Sequence, residues 1–408
     1  MSERPHLLFV SPRFLFPTDQ GGKIRTTQIL RGMKGGRFEI ILVSPASIGA
    51  EQRFAAELQQ VCDRFVSWPS VDDGRFFRSL RLRHLVSRLP VSIAADYSTA
   101  GAAVIHAELA QSPTVAVFDF LHSMVMAPDT LPCASVLFTH NVEAEIFNRH
   151  AQVAANRLKK ALWRSQFRKM NAFEQAVIPR FDTVVAVSER DAGAFARIDG
   201  ARNIEVIGTG VDLEFFTYTP PGDQERVVFT GAMDWLANID GIEFFMQEVW
   251  PQVAEQRPRA SMTIVGRNPS PALIERAKSR GLPWQFTGFV DDIRPHIQGA
   301  AAYVVPLRVG GGTRIKVYEA MATGIPVVST GLGVEGLPLL ADQHYLHGDT
   351  PKALADAIIQ LLENPDLRQR LAFQARHYIE ENFSSNAIAR QFEDICWRTT
   401  FPTDDSAK

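Results

Sequence analysis

The sequence predicts an α/β protein with two doubly wound parallel-sheet domains that follow one another along the chain. Short apolar runs alternate with segments of helical periodicity almost throughout, which is typical of parallel sheets covered by helices. The segment 218–223 (YTPPGD) interrupts every periodicity, and a fresh series of apolar runs begins after it. The length of 408 residues is also that of two domains rather than one.

The first domain is predicted over residues 1–217. Apolar runs of strand length predict strands at 6–11, 39–44, 115–120, 135–140, 183–188 and 205–207. Helical periodicity predicts helices at 22–33 and 51–61 and a long helical stretch over 142–178.

A linker over 218–225 is predicted to separate this domain from a second one over 226–375. Strands are predicted at 227–230, 262–265, 285–287, 302–305 and 326–329, and helices at 239–253, 271–279, 315–323 and 351–362. We expect the two domains to face each other, with a ligand at the carboxyl ends of the strands. The helical residues 376–408 either complete the second domain or fold back onto the first, and the sequence favours neither.

Composition excludes several classes of function. The net charge of −2 offers no field for gripping a polyanion, so no nucleic-acid partner is expected. Cys62, Cys133 and Cys396 have no metal-binding spacing, and we interpret them as reduced thiols of a cytoplasmic protein. No apolar run approaches the length of a membrane-spanning helix, so any membrane contact is predicted to be peripheral.

The strongest chemical signal is the segment 302–330, in which a buried strand is followed by three glycines and a helix. The helix is predicted to open near Thr313. Its N-terminal amides are unpaired, and glycines let the backbone approach a ligand closely. The glycines are Gly310, Gly311 and Gly312. This combination predicts a phosphate-binding turn.

Charged residues in the same segment indicate what the turn binds. Arg314 and Lys316 lie in the first turn of the predicted helix, where cations oppose the helix dipole and therefore need another reason to be present. A diphosphate supplies that reason. Glu319, one turn later, is placed to accept hydrogen bonds from a ribose diol. The alternative is a glycine-rich turn with solvated charges.

These residues belong to a run that resembles the glycosyltransferases of family 4, which have the GT-B fold of two Rossmann-like domains. Residues 319–328 match the family's EAMA-x-G-x-PVV motif. Its donor domain is matched by VVFTGAMDWLANIDGIEFF (227–245), MTIVGRNP (262–269) and WQFTGFVDDIRP (284–295). Its acceptor domain, especially in bacterial exopolysaccharide-associated sugar transferases, is similar to SPRFLFPTDQGGKIRTTQIL (11–30) and FTHNVEAEIF (138–147). The resemblance implies a role in exopolysaccharide biosynthesis.

The resemblance also implies roles for individual residues. Glu319 matches the glutamate that binds the donor's ribose, and Val290 occupies the position whose backbone groups read the nucleobase. Gly21 and Gly22 match the glycine loop that closes over the donor phosphates and sugar. His140 matches the histidine that contacts the donor sugar near the reacting carbon.

The family requires no bound metal, and the sequence has no DxD-type motif, so no metal or other cofactor is expected. Neutralisation of the leaving diphosphate is then assigned to Lys316, Arg314 and helix amides. Two positions depart from the family pattern. Gly311 stands where the first glutamate of the E-x7-E motif belongs. The loop 231–241 lacks the arginine and lysine that many members direct at the diphosphate, and Arg267 is a candidate replacement.

Four polar residues of the first domain are candidates for acceptor binding. Lys23 and Arg25 lie on the first predicted helix and either contact a phosphate or acidic acceptor or form an exposed helix face. Asp119 ends a predicted strand. Glu143 lies at a predicted helix start, where capping is the alternative role.

A basic amphipathic stretch over 156–170 (NRLKKALWRSQFRKM) is a candidate for contact with the inner membrane face. It places Arg157, Lys160, Arg164 and Arg168 at helical spacings with apolar residues between them. Helices of this kind lie on anionic leaflets, which suits a lipid-linked acceptor. The alternative is an ordinary surface helix.

The reaction implied by the resemblance moves a sugar from a UDP- or GDP-sugar to a glycan or lipid-linked acceptor with retention of configuration. The acceptor hydroxyl attacks from the face that the diphosphate leaves. Two alternatives stay open at this point: a nucleotide-sugar epimerase of the same architecture, and a catalytically silent nucleotide-sugar-binding partner. A dehydrogenase is not favoured, because no GxGxxG follows the first strand of either domain.

Overall fold

The computed structural model describes residues 4–18, 21–70, 81–153, 156–309 and 314–402. The chain divides into two compact units, Met1–Gly208 with Ile388–Lys408, and Thr209–Ala387. The segment 218–225, predicted as the linker, therefore lies inside the second unit, and the C-terminal residues belong to the first.

A parallel sheet forms the centre of the first unit. Its described strands are β1 (His6–Val10), β2 (Glu39–Ala46), β3 (Arg64–Pro69), β4 (Val115–Asp119), β5 (Ala134–Phe138), β6 (Thr183–Ala186) and β7 (Asn203–Val206). Their order is β3-β2-β1-β4-β5-β6-β7. The winding reverses between β1 and β4, which is where a doubly wound sheet opens a crevice for ligands.

Helices cover both faces of this sheet, since its central strands are buried on both sides. They span Gly21–Met33, Ala50–Arg53, Ala55–Val61, Val91–Ala95, Thr99–Leu109, Glu143–Val153, Arg157–Val177, Glu189–Phe195 and, from the C-terminus, Ser385–Thr400. The stretch predicted as helical over 142–178 holds two helices. Asn156 begins the second of them, since its side chain accepts from the Lys159 amide at 2.7 Å.

The C-terminal helix completes the core of the first unit. Phe392 is fully buried, with its ring centroid 4.9 Å from that of Phe138 on β5. Trp397 packs edge-on against Phe38. Glu393 accepts a hydrogen bond from the Arg37 amide at 2.7 Å, so this helix is attached by both apolar and polar contacts.

The second unit repeats the architecture with a shorter sheet. Its strands are β8 (Arg226–Thr230), β9 (Ser261–Val265), β10 (Trp284–Phe286), β11 (Ala302–Val305), β12 (Val327–Ser329) and β13 (Tyr345–His347). They are ordered β10-β9-β8-β11-β12-β13 and pair in parallel. The winding reverses between β8 and β11, so the ends of these strands are the expected ligand edge.

The helices of the second unit follow the prediction closely. They span Leu236–Phe244, Trp250–Gln256, Pro271–Ser279, Arg294–Ile297, Ile315–Thr323, Pro351–Glu363 and Pro365–Asn382. The helix predicted over 239–253 is interrupted by a π-helical turn at Phe245–Val249. In the described ranges, no helix combines the length and apolar character needed to cross a membrane.

Candidate active site

A cavity of about 670 Å³ lies at the carboxyl end of β8 in the second unit. It is lined by Thr230, Gly231, Ala232, Asp234, Trp235 and Asn238 from the loop after β8 and by Arg267, Lys316 and Glu319. We call it the β8 pocket. Three residues that were selected from the sequence, Arg267, Lys316 and Glu319, therefore share one cavity at the predicted edge of the sheet.

Lys316 projects from the helix Ile315–Thr323 to the end of β8. Its ammonium donates to the Thr230 carbonyl and to Asn238 Oδ1, both at 3.0 Å, and lies 4.3 Å from the centre of the Phe229 ring. Burial, followed by the charge of Arg314, lowers the pKa of Lys316 from 10.5 to about 7. An anion bound beside this ammonium would oppose both effects, so Lys316 is poised to gain charge when an anion binds.

Glu319 lies one helical turn after Lys316 and faces the same pocket. Burial raises the pKa of its carboxyl to about 7, with Lys316 acting in the opposite direction. A buried carboxyl without a strong ion-pair partner is a good acceptor for hydroxyl groups of a ligand. Its position fits the role in diol binding that the resemblance implies.

Arg267 supplies a second cation at the rim of the β8 pocket. Its side chain is 61% exposed, and its Nε lies 3.4 Å from Asp234 Oδ2. The same carboxylate accepts from Asn268 Nδ2 at 2.9 Å. Asp234 therefore holds Arg267 at the pocket mouth, where an exposed guanidinium remains accessible to an anionic ligand.

The remaining residues predicted to bind the donor in the second unit are not among the described residues that line the β8 pocket. Gly310, Gly311, Gly312 and Thr313 lie outside the described residues. Arg314 is only 3% exposed, and its Nε and Nη2 donate to the Leu332 carbonyl at 3.3 and 3.2 Å. Val290 is partly buried against the core of the second unit. Neither Arg314 nor Val290 lines the β8 pocket as described, so their contacts with a donor stay predictions.

A second cavity, of about 250 Å³, lies at the carboxyl ends of β1 and β4 in the first unit. It is lined by Ser11, Arg13, Leu15, Gly21, Gly22, Lys23, Asp119, Phe120, His140 and Asn141. We call it the β4 pocket. The structure thus brings together five residues selected from three separate stretches of sequence: Gly21, Gly22, Lys23, Asp119 and His140.

Asp119 and His140 form a buried pair in the β4 pocket. His140 Nε2 lies 2.7 Å from Asp119 Oδ1, and Asp119 Oδ2 accepts from the hydroxyls of Ser11 and Thr26, each at 3.1 Å. Asp119 is completely buried and orients His140, and its contact with an acceptor stays a prediction. Burial lowers the pKa of His140 even though Asp119 opposes the shift. With Nε2 engaged, Nδ1 of a neutral His140 is the nitrogen available to a ligand.

Phe120 completes this arrangement. Its backbone φ is 58° with ψ 147°, a conformation that is rare for a bulky residue and that concentrates at functional sites. The strained turn lays its ring against the His140 imidazole, with the two ring centres 3.9 Å apart. No local sequence signal marks Phe120.

Gly22 leaves room for the Phe120 ring. A Cβ at Gly22 would lie 2.5 Å from Phe120 Cζ, whereas a Cβ at Gly21 would meet nothing within 4 Å. We expect Gly22→Ala to lower the free energy of unfolding by about 1–3 kcal/mol and to displace His140, whereas Gly21→Ala changes it by less than about 0.5 kcal/mol. Urea denaturation of the two variants compares them directly, and equal effects would contradict the proposed contact.

Of the other residues predicted to bind the acceptor, Lys23 lines the β4 pocket and Arg25 does not. Arg25 is buried, donates to the carbonyls of Thr139 and Ile207 at 2.8 Å each, and does not line the β4 pocket. Its long side chain turns inward rather than forming an exposed helix face, and its contact with an acceptor stays a prediction. Lys23 lines the β4 pocket and donates to the Pro17 carbonyl at 3.2 Å.

Glu143 lies behind His140 rather than in the β4 pocket. It lines a space of about 10 Å³ together with Glu174, a residue that was not singled out from the sequence. Burial raises the pKa of both carboxyls, that of Glu174 to about 7. Glu174 accepts from the Ala144 amide at 3.2 Å, so it caps the helix that begins at Glu143.

Comparison with known protein families shows what each half of the chain is similar to. Residues 20–215 match the model described as Glycosyltransferase Family 4, and residues 224–364 match the model described as Glycosyl transferases group 1. Two glycosyltransferase family models therefore match most of the chain between them, one in each half. The stretches that resembled the family's acceptor and donor domains fall largely within these two matches.

Related sequences agree with this assignment. The chain is 29% identical over 204 residues to the phosphatidyl-myo-inositol mannosyltransferase of Mycobacterium tuberculosis, covering 45% of this chain and 53% of that protein. It is 24% identical over 170 residues to an uncharacterized 44.6 kDa protein in the cps region of Klebsiella pneumoniae, covering 40% of this chain and 44% of that protein. The chain thus spans about half the length of these curated relatives.

Solved structures share the whole fold. Sucrose-phosphate synthase from Thermosynechococcus elongatus superposes with a TM-score of 0.63 at 17% identity, covering 98% of this chain and 99% of that one. The Anabaena protein HepE, in complex with UDP and glucose, gives a TM-score of 0.61 at 13% identity over 96% and 99% of the two chains. The predicted GT-B architecture of two doubly wound parallel-sheet domains is confirmed.

Proposed function

We propose that this glycosyltransferase transfers a sugar from a nucleotide-diphosphate donor, bound in the β8 pocket, to a glycan or lipid-linked acceptor. The observation that carries the proposal is the convergence of Lys316, Glu319 and Arg267 on one cavity at the end of β8. Two cations suit a diphosphate and a carboxyl suits a ribose diol, so one pocket offers partners for both parts of a nucleotide.

Either UDP or GDP fits this proposal. HepE was solved with UDP and glucose, while a relative from Corynebacterium glutamicum, 24% identical over 52% of this chain, is named as GDP-mannose-dependent. A thermal-shift screen of UDP, GDP, ADP and their sugars identifies the donor. We expect one base to stabilise the protein and Lys316→Ala and Glu319→Ala to abolish the stabilisation. If the preferred nucleotide still stabilises both variants, it binds outside the β8 pocket.

Charge neutralisation by the protein is the proposed route for departure of the diphosphate. Lys316 and Arg267 stabilise the negative charge that develops on the diphosphate as its bond to the sugar breaks. The acceptor hydroxyl attacks the anomeric carbon on the same face, with retention, and gives its proton to the departing diphosphate oxygen. We propose that no metal is needed, so transfer should be unaffected by EDTA. Anomeric NMR of the product tests retention, and donor turnover without any acceptor would indicate epimerisation instead.

The pH dependence of donor binding tests the role of Lys316. Because a bound diphosphate favours the ammonium form, the complex holds more protons than the free protein above pH 7, the value about which Lys316 titrates when free. Affinity must then fall as pH rises, by up to about tenfold per pH unit. Calorimetric titration of the preferred nucleotide between pH 7 and pH 9 measures this, and Lys316→Met should flatten the profile.

The basic stretch in the first unit supports a membrane-associated acceptor. Arg157, Lys160, Arg164 and Arg168 line a groove of about 550 Å³ along the helix Arg157–Val177, and Leu158 beside them is 84% exposed. We propose that this face holds the enzyme on an anionic leaflet during exopolysaccharide biosynthesis, a role that the cps-region relative also supports. Sedimentation with anionic but not neutral vesicles is expected, and its loss in a fourfold Gln variant would assign it to this groove.

A further inference from the structure

Asn238 connects two segments that line the β8 pocket. It is 3% exposed and lies at the start of the helix Leu236–Phe244. Its Nδ2 donates to the Ala232 carbonyl at 2.9 Å, and its Oδ1 accepts from the Lys316 ammonium at 3.0 Å. Because the amide nitrogen is committed to a carbonyl, the amide oxygen is fixed toward the ammonium.

The ammonium of Lys316 therefore lies against the loop 231–238, which has no cation of its own. The loop 231–238 contains neither lysine nor arginine, yet Lys316 reaches it from a different helix and donates to Thr230 and Asn238. An ammonium has three N–H donors. Among the described residues these two accept from it, which leaves a third donor for a ligand in the pocket.

The surroundings of Gly231 also indicate that the loop 231–238 packs closely against Asn238 and Lys316. A Cβ at Gly231 would lie 2.6 Å from Asn238 Nδ2 and 3.1 Å from Lys316 Nζ. Its φ of 158° is one that residues with a side chain rarely adopt, and its lack of a Cβ also permits the close approach of Asn238 and Lys316.

We propose that Asn238 is the positioning residue that holds the Lys316 ammonium at the end of β8 for the diphosphate of the donor. The inference rests on the proposed function and deepens it: the place of the charge, rather than the residue that carries it, determines donor affinity. An ammonium delivered to the same place from position 238 should therefore serve equally well.

A charge swap tests this directly. Lys316→Asn should weaken binding of the preferred nucleotide diphosphate at least about tenfold, the size expected for loss of one charge-assisted hydrogen bond. The double variant Asn238→Lys/Lys316→Asn should recover affinity to within about threefold of the wild type. Lys278→Asn, at an exposed position on the helix Pro271–Ser279, is the matched control and should bind as the wild type does.

A double variant that folds and binds no better than Lys316→Asn overturns the inference. If the double variant fails to fold, as judged by its thermal midpoint, Asn238→Ala decides instead. Asn238→Ala removes an acceptor that favours the ammonium form of Lys316, so the fall in nucleotide affinity should move to lower pH. If Asn238 is only structural, the variant should weaken binding equally at every pH, and that result would also overturn the inference. Failure of the wild type to bind any nucleotide diphosphate would instead refute the proposed function.

Discussion

Replacing Lys316 by methionine is expected to lower kcat/KM for sugar transfer by about 10²–10³-fold, the usual cost of losing one charged group that stabilises the departing oxyanion. Methionine keeps most of the side-chain volume beside Phe229 and removes only the ammonium. Because burial already disfavours that charge, removing it should not prevent folding. Steady-state kinetics with the preferred donor, alongside a thermal midpoint, separates the chemical effect from a structural one.

The control for this prediction is Lys278→Met, which removes a lysine at an exposed position of the same unit and should leave the kinetics unchanged. Glu319→Gln, which keeps the shape and one acceptor oxygen, should have a smaller effect than Lys316→Met and act mainly on KM. A Lys316→Met enzyme with near wild-type kcat/KM would contradict the assignment of the β8 pocket to the diphosphate.

His140→Ala is the second large expected effect. We expect kcat to fall by about 10²-fold, a typical contribution from a positioned polar group at the reacting centre, while the Kd for the nucleotide changes by less than about threefold. The two effects should separate because His140 lines the β4 pocket, whereas the residues proposed to bind the nucleotide line the β8 pocket. Single-turnover kinetics together with calorimetry of the nucleotide measures both quantities.

Asp119→Asn separates orientation of His140 from its presence. The amide can no longer accept from Ser11, Thr26 and His140 at once, so the tautomer with a proton on Nε2 loses its preference. Activity should fall by about tenfold or more and its pH profile should shift, because the pKa of His140 loses the opposing charge of Asp119. An unaltered pH profile would show that Asp119 is only structural. His377→Ala, at a 60% exposed position, is a suitable control.

The fold was largely readable from the sequence because most strands are short runs of β-branched and aromatic residues that are buried on both faces. Two strands were not predicted, because their sequences lack such an apolar run. Arg64–Pro69 lies at an edge of its sheet and is mostly half-buried, and Tyr345–His347 has only three residues. Neither produces an apolar run that stands out from its surroundings.

The sequence identified many of the site residues individually, but not the contacts between residues that lie far apart along the chain. Lys316 and Glu319 lie on one helix at a spacing of one turn, and the motif around them identified both. Asn238 is 78 residues from Lys316, and Ser11 is 108 residues from Asp119. For Arg25, the helical pattern gave no sign that the guanidinium turns inward to two backbone carbonyls. Contacts of this kind depend on strand order, which local patterns do not encode.

The most direct measurement is a crystal structure of the protein with its preferred nucleotide diphosphate. We expect a diphosphate oxygen within about 3.2 Å of Lys316 Nζ and a ribose hydroxyl hydrogen-bonded to the Glu319 carboxyl. A nucleotide bound away from the end of β8, with Lys316 and Glu319 untouched by it, would contradict the central claim.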